Sequence, residues 1–218
     1  MKKIILLFMM SAMLHSVSFT QVSKGSLLLG GDLSIFIQEQ KTLSGTANKN
    51  DGFSFSPLIG VATRQDIIQG GYLQIGSSKS TNNFSSAITK TNNTGVGYFI
   101  RKYSSIKNNF SGFIQGNAGV GYSTSSFEIQ TTINKSKQTS VGINVSPGLS
   151  YKVSQKLHLE AGLKNIASVS YQVTKNLIDN PGINDVLRST QISVSSSLNN
   201  FSSNLYFGFR LLLDRKKS

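Results

Sequence analysis

The chain has 218 residues, with 22 Lys+Arg against 9 Asp+Glu for a formal charge of +13, yet charged residues make up only 14% of it. A water-soluble domain carries about 25%; here 35 Ser, 18 Asn and 20 Gly fill the polar share, a poor supply for an ordinary water-facing surface. No Cys and only 2 His exclude a disulfide scaffold, a cysteine zinc site, a thiol nucleophile, a c-type haem site and His-rich metal chemistry.

Residues 1–20 read as a secretory signal. Lys2 and Lys3 form the positive start, residues 4–14 are apolar apart from Ser11, and Ser18 and Thr20 fall at −3 and −1 for cleavage before Gln21. A membrane-spanning helix needs about 20 apolar residues, and this run is roughly half that. The remaining domain, 21–218, keeps His158 as its only histidine. Because only Lys2 and Lys3 leave with the signal, it holds 20 Lys+Arg against 9 acids, or +11. No later stretch is long and apolar enough to span a bilayer as a helix.

Past the signal the dominant pattern is period-two alternation, the mark of strands with two different faces. The first segment, 25–40, sets Leu27, Leu29, Leu33, Ile35 and Ile37 against Ser26, Asp32, Ser34 and Gln38. Segments 52–62, 67–77, 94–103 and 110–123 follow; in 67–77 the residues Ile67, Ile68, Tyr72, Leu73 and Ile75 do not share one face. The cleanest, 138–153, sets Val141, Ile143, Val145, Leu149 and Tyr151 against Gly142, Asn144, Ser146, Gly148 and Ser150. Segment 157–173 sets Leu157, Leu159 and Leu163 against His158, Glu160 and Lys164. The last, 189–213, sets Leu205, Phe207, Phe209, Leu211 and Leu213 against Tyr206, Gly208 and Arg210, with a bulge expected over 199–203. Short links at 63–66, 104–109 and 154–156 alternate with long ones at 41–51, 78–93, 124–137 and 174–188, rich in Ser, Thr, Asn and Lys. A short helix is expected over 184–188.

These eight segments predict an all-β fold, an eight-stranded antiparallel up-and-down transmembrane β-barrel with one tight rim and one looped rim. The polar face is Ser, Gly, Asn and Gln rather than Lys and Glu. Small neutral groups suit a narrow lumen, and the apolar face then suits lipid. A secreted soluble β-barrel or lipocalin-like binder would instead put the apolar face inside and the Ser/Gly/Asn face in water.

The runs Lys24-Gly25-Ser26-Leu27-Leu28-Leu29-Gly30-Gly31, Phe53-Ser54-Phe55-Ser56-Pro57, Gly116-Asn117-Ala118-Gly119-Val120-Gly121-Tyr122 and Val145-Ser146-Pro147-Gly148-Leu149-Ser150-Tyr151 resemble the outer-membrane β-barrel domain family of Bacteroidetes-type bacteria, the OmpA-type and small porin-like barrels. The resemblance spans the chain after the signal. It implies an eight-stranded barrel in the cell outer membrane and is nearly silent on function. Such chains often end on an aromatic residue read by the barrel-insertion machinery. Here the end is Leu213-Asp214-Arg215-Lys216-Lys217-Ser218, so an internal Phe207 or Phe209 would carry that signal.

No catalytic, cofactor or metal residue is assigned. A hydrolase would want His with Ser and an acid near a rim, and the four long links hold no His. Gly116, Gly119 and Gly121 precede no helix, which speaks against a phosphate loop. Asp32, Arg101, His158, Glu160, Lys164 and Arg210 fall on the inward face and are expected to form a structural polar network, because buried charges must be paired. Expected partners are outer-membrane lipids and, during biogenesis, the insertion machinery. Loop lysines Lys41, Lys49, Lys79, Lys90, Lys135, Lys137 and Lys175 would face anionic lipopolysaccharide, and Arg215, Lys216 and Lys217 the periplasmic side. Nucleic acid is not expected. The chain reads as a monomeric, non-catalytic envelope or surface-interaction protein with four external loops, the alternative being a small porin-like solute channel.

Overall fold

The computed structural model describes residues 22–41, 47–82, 87–107, 109–129, 132–180, 183–196 and 204–213. The signal over 1–20, the bulge over 199–203 and the tail from Asp214 lie outside the described residues. Ten strands follow one another: β1 (Leu27–Lys41), β2 (Ala47–Arg64), β3 (Ile67–Asn82), β4 (Ala87–Lys107), β5 (Phe110–Ile129), β6 (Thr132–Lys152), β7 (Leu157–Leu163), β8 (Ala167–Asn180), β9 (Ile183–Ser196) and β10 (Leu205–Leu213).

Each of β1 to β7 pairs antiparallel with the next, β7 pairs with β10, and β10 returns to β1 through residues 27–33 against 213–207. The sheet is thereby a closed ring of eight staves. β8 and β9 extend two of them, since β6 pairs with β7 over residues 148–152 and with β8 over 135–145. Between the register pairs Gly148↔Gly162 and Val145↔Ala167, β6 advances three residues and its partner five, a bulge. Asn165 takes the left-handed conformation there, with φ 54°. Asparagine tolerates that region better than most residues. Its amide donates to Ser146 Oγ at 3.2 Å, and the Ile166 amide to the Val145 carbonyl at 2.9 Å, so the ladder resumes at once.

The alternation sorts side chains as the period requires. Among the described residues 33 large apolar side chains are exposed, while 11 apolar ones are buried. Leu33, Ile59, Val120, Ile143, Leu159 and Phe207 all point outward. This inversion excludes the lipocalin-like arrangement. On β3, Ile68 and Tyr72 turn inward while Leu73 and Ile75 turn outward, which is why that segment showed no single apolar face. The inward set passes from odd numbers on β9 (Ser193, Ser195) to even numbers on β10 (Tyr206, Arg210).

Two expectations need correction. The described parts of the long links are strand, and the lysines assigned to loops stand on strands; 42–46, 83–86, 130–131 and 181–182 lie outside the described residues. Where both faces of a strand meet water the apolar alternation vanishes, yet backbone ladders and Thr's β preference continue the pairing. Residues 184–188 are likewise part of β9 rather than a helix, paired to β8 through Asp185↔Ile178 and Arg188↔Lys175.

The lumen also differs from an evenly polar one. Val22, Leu28, Leu58, Ala62, Ile68, Phe99, Phe113 and Leu212 form an apolar cluster at the end with the tight turns. Residues 22–26 lie across that end. The Gly25 amide donates to the Ala62 carbonyl at 2.8 Å, and the Val22 amide to Asp66 Oδ1 at 3.1 Å.

Candidate functional site in the barrel interior

Above the apolar cluster the inward faces of β1, β4, β5, β7 and β10 converge on Glu160. Arg101 Nη1 donates to its two carboxylate oxygens at 2.8 and 2.7 Å, and Tyr103 Oη to Oε1 at 2.8 Å. Arg210 Nη2 lies 3.0 Å from Oε2 and also pairs with Asp32. Arg210 Nη1 donates to the carbonyls of Gly31 and Phe209, each at 2.9 Å. Arg101 Nε donates to Gln115 Oε1 at 2.7 Å, and the relay continues from Gln115 to Asn117 at 2.6 Å and from Asn117 to Asn144 at 2.7 Å. Arg101, Arg210 and Glu160 are 0%, 0% and 3% exposed, so these pairs are fully desolvated.

Such charges are tolerable only when their hydrogen-bonding capacity is met. Among the described residues, Arg101 Nη2 and Arg210 Nε find no hydrogen-bond partner. The Arg101 guanidinium instead lies 4.3 Å from the Phe113 ring centroid, where the π face attracts a cation.

The structure thus brings together four of the six residues expected inside: Asp32, Arg101, Glu160 and Arg210. Lys164 joins at the edge, donating to Ser54 Oγ at 3.1 Å with its ammonium 5.7 Å from the Tyr206 ring. His158 stands apart near the tight end, its Nδ1 3.4 Å from Ser150 Oγ. Ser150, His158 and Glu160 stand on adjacent strands, but the carboxylate is held by two guanidiniums, and Ser150 and His158 are 1% and 2% exposed. Tyr103 and Gln115 were not singled out in the sequence. Tyr103 sits two residues after Arg101, on the same face by period two, and that spacing was the available signal.

Glycines opposite the large interior groups leave the space these need. A Cβ at Gly208 would stand 2.7 Å from Asp32 Oδ1 and 2.8 Å from Arg210 Nη1. Gly208→Ala is therefore expected to displace the Arg210–Asp32 pair and cost about 1–3 kcal/mol, as overpacking does. Urea unfolding followed by gel mobility of the folded barrel measures it, and unchanged stability would refute the space argument.

A cavity of about 70 Å³ lies above the network, lined by Asp32, Ser56, Tyr72, Asn117, Asn144, Lys164 and Tyr206 among others. Beyond it the lumen widens to about 310 Å³ between Ser and Gly positions of β4 to β9.

Fold and interior together define a closed, up-and-down eight-stave barrel with an apolar exterior and a plugged tight end. No protein-family model matches the chain, and no curated protein matches it in sequence. Among solved structures, Neisserial surface protein A is similar at 18% identity and a TM-score of 0.41, over 86% of this chain and 99% of that one. A major outer membrane protein from Thermus thermophilus is similar at 7% identity and a TM-score of 0.49, over 87% and 99%. The translocator domain of the autotransporter NalP from Neisseria meningitidis is similar at 12% identity and a TM-score of 0.43, over 93% and 90%.

Proposed function

We propose that the chain is an integral outer-membrane barrel of the OmpA-type or small porin-like kind common in Bacteroidetes-type bacteria. In this reading it acts without catalysis, in envelope structure or surface interaction, and is exported by the signal over 1–20. The observation that carries this reading is the inverted exterior: among the described residues, 33 large apolar side chains are exposed around a ring of eight paired staves, closed between β1 and β10 over residues 27–33. In lipid both features are favourable, since an acyl-chain solvent accepts the apolar face and a closed ladder leaves few bare backbone groups. Outer-membrane lipids are then the permanent partner and the insertion machinery a transient one, with the barrel working as a monomer. The strand ends beyond the apolar band would present Ser, Thr, Asn and Lys to the outside.

The porin-like alternative is disfavoured by the filled tight end. Leu28, Ile68, Phe99, Phe113 and Leu212 are each at most 4% exposed across the path that a solute would follow. Membrane fractionation with heat-modifiable gel mobility tests the barrel reading: the protein is expected in the membrane fraction with a shift on boiling, and recovery as a soluble protein would overturn it. Planar-bilayer recording is expected to show no steady conductance. Stable channels would favour the porin instead.

A further inference from the structure

We infer that the outward face of β6, β8 and β9 binds a lipid bearing two phosphate groups, its headgroup on Lys135, Lys137, Lys175 and Arg188 and an acyl chain in an apolar groove of the wall below. The inference rests on the reading of the chain as a barrel in a bilayer, and adds to it a defined place and headgroup chemistry.

Lys137 stands directly opposite Lys175 across the β6–β8 ladder, and Lys175 directly opposite Arg188 across β8–β9. Lys135 is the next outward residue on β6, and all four side chains are exposed. Like charges directly opposite each other destabilise a sheet. The other strands offset this cost: Lys79 stands directly opposite Lys90, but each has an acid beside it. Glu39 faces Lys49, Asp51 faces Lys79, and Lys90 reaches Glu128 at 3.4 Å. On the β6–β8–β9 face Lys135, Lys137, Lys175 and Arg188 have Ser126, Thr124, Leu177 or one another as register partners, and no acid stands directly opposite any of them. One side of the barrel sets an acid beside its cations, whereas the row Lys137–Lys175–Arg188 has no acid directly opposite any member and suits an external anion.

The patch has a shape. Two interstrand steps separate β6 from β9, roughly 10 Å, and two residues along β6 add roughly 7 Å. That footprint takes two phosphates rather than one, with Arg188 able to grip one bidentately and the lysines acting as point charges.

Below the cations the same register rows turn apolar: Thr139, Val173 and Thr190, then Val141, Tyr171 and Ile192, then Ile143, Val169 and Val194. Tyr122, opposite Thr139, and Tyr171 are aromatic residues at the level where a bilayer interface favours them. A groove of about 430 Å³ opens beneath, walled by Ile143, Val145, Val169 and Val194, with Gly116 and Ala118 leaving it unfilled. From Lys137 to Ile143 is six residues, roughly 20 Å along the strand or about 15 Å of depth at a 40° tilt. That is about half of a 30 Å hydrocarbon core, the depth of one leaflet. An anionic head on the cations therefore sets its chain at the groove.

The test uses the full processed chain in phosphatidylcholine nanodiscs, titrated with diphosphorylated lipid A. K135Q/K137Q/K175Q/R188Q is expected to weaken binding at least tenfold, while K49Q/K79Q/K90Q on the charge-matched side changes it less than twofold. Lipid A stripped of both phosphates is expected to bind wild type at least tenfold more weakly. Ala118→Phe, which fills the groove, is expected to weaken the acylated lipid several-fold and leave binding of the water-soluble, deacylated diphosphorylated headgroup unchanged. Equal losses in the two charge variants would overturn the site in favour of diffuse surface charge. Equal binding of phosphorylated and stripped lipid would overturn it outright, and no effect of Ala118→Phe would overturn the groove. Heat-modifiable mobility of each variant separates the two levels. A quadruple variant that still inserts but binds like wild type sinks this site alone, whereas a wild-type chain that does not enter membranes sinks the barrel reading with it.

Discussion

Glu160→Gln is expected to cost about 3–5 kcal/mol of barrel stability, the range for removing one partner of a buried ion pair. Glu160 neutralises two guanidiniums at once, through Arg101 Nη1 at 2.7 Å and Arg210 Nη2 at 3.0 Å. Gln keeps the shape and one acceptor oxygen but no charge. The interior cluster of Arg101, Arg210 and Lys164 against Asp32 and Glu160 would pass from one excess positive charge to two, with both guanidiniums shut away from water. Tyr103 Oη would also lose its charged acceptor. Urea unfolding in lipid vesicles, read by the fraction keeping the folded gel mobility, gives the number. The double variant R101M/E160Q separates the lost attraction from the stranded charge. It is expected to recover at least half of the loss, because Met fills the volume of Arg without its charge. A Glu160→Gln loss under about 1 kcal/mol would mean that the network orders the lumen without stabilising it.

Leu33→Arg should carry the second-largest penalty, about 2–4 kcal/mol, the cost of a cation on the lipid face of a barrel near mid-bilayer. Leu33 sits within the outward apolar run of β1, is 46% exposed, and faces Phe55 and Phe207 across its two ladders. The same change at Asn92, outward on β4 among Ser, Thr and Asn rows, should cost about 0–1 kcal/mol, because a charge near the interface keeps its water. Refolding yield into vesicles and the urea midpoint both report the difference. If the two positions cost the same, the exterior does not meet hydrocarbon.

What the sequence made legible follows where one environment differs from another. Eight staves, their faces and the inward placement of Asp32, Arg101, His158, Glu160, Lys164 and Arg210 could be read because an apolar exterior and a polar lumen put different side chains on alternate residues. The strand ends between 78 and 93 or 124 and 137 could not, because there both faces meet water and period two disappears while the ladder continues. The apolar plug was equally hidden. Leu28, Leu58 and Ile68 occupy the inward register, but in a sequence an apolar residue on either face reads only as noise in the alternation. Which charge pairs with which needs the barrel closed: Glu160 and Arg101 are 59 residues apart, and Arg210 and Asp32 are 178 apart.

The closing ladder between β1 and β10 sets a time order on assembly. Leu27 meets Leu213 and Leu33 meets Phe207, the longest sequence separations in the ring. Until β10 arrives, one edge of β1 offers unpaired amides and carbonyls to any other strand, the template for aggregation. Arg210 travels on that same last strand, so Asp32 waits for its guanidinium and Glu160 for the second of its two. Edge closure, charge neutralisation and the seating of Leu212 in the plug therefore belong to one late, cooperative event. A contact so distant in sequence is slow to find by chain diffusion.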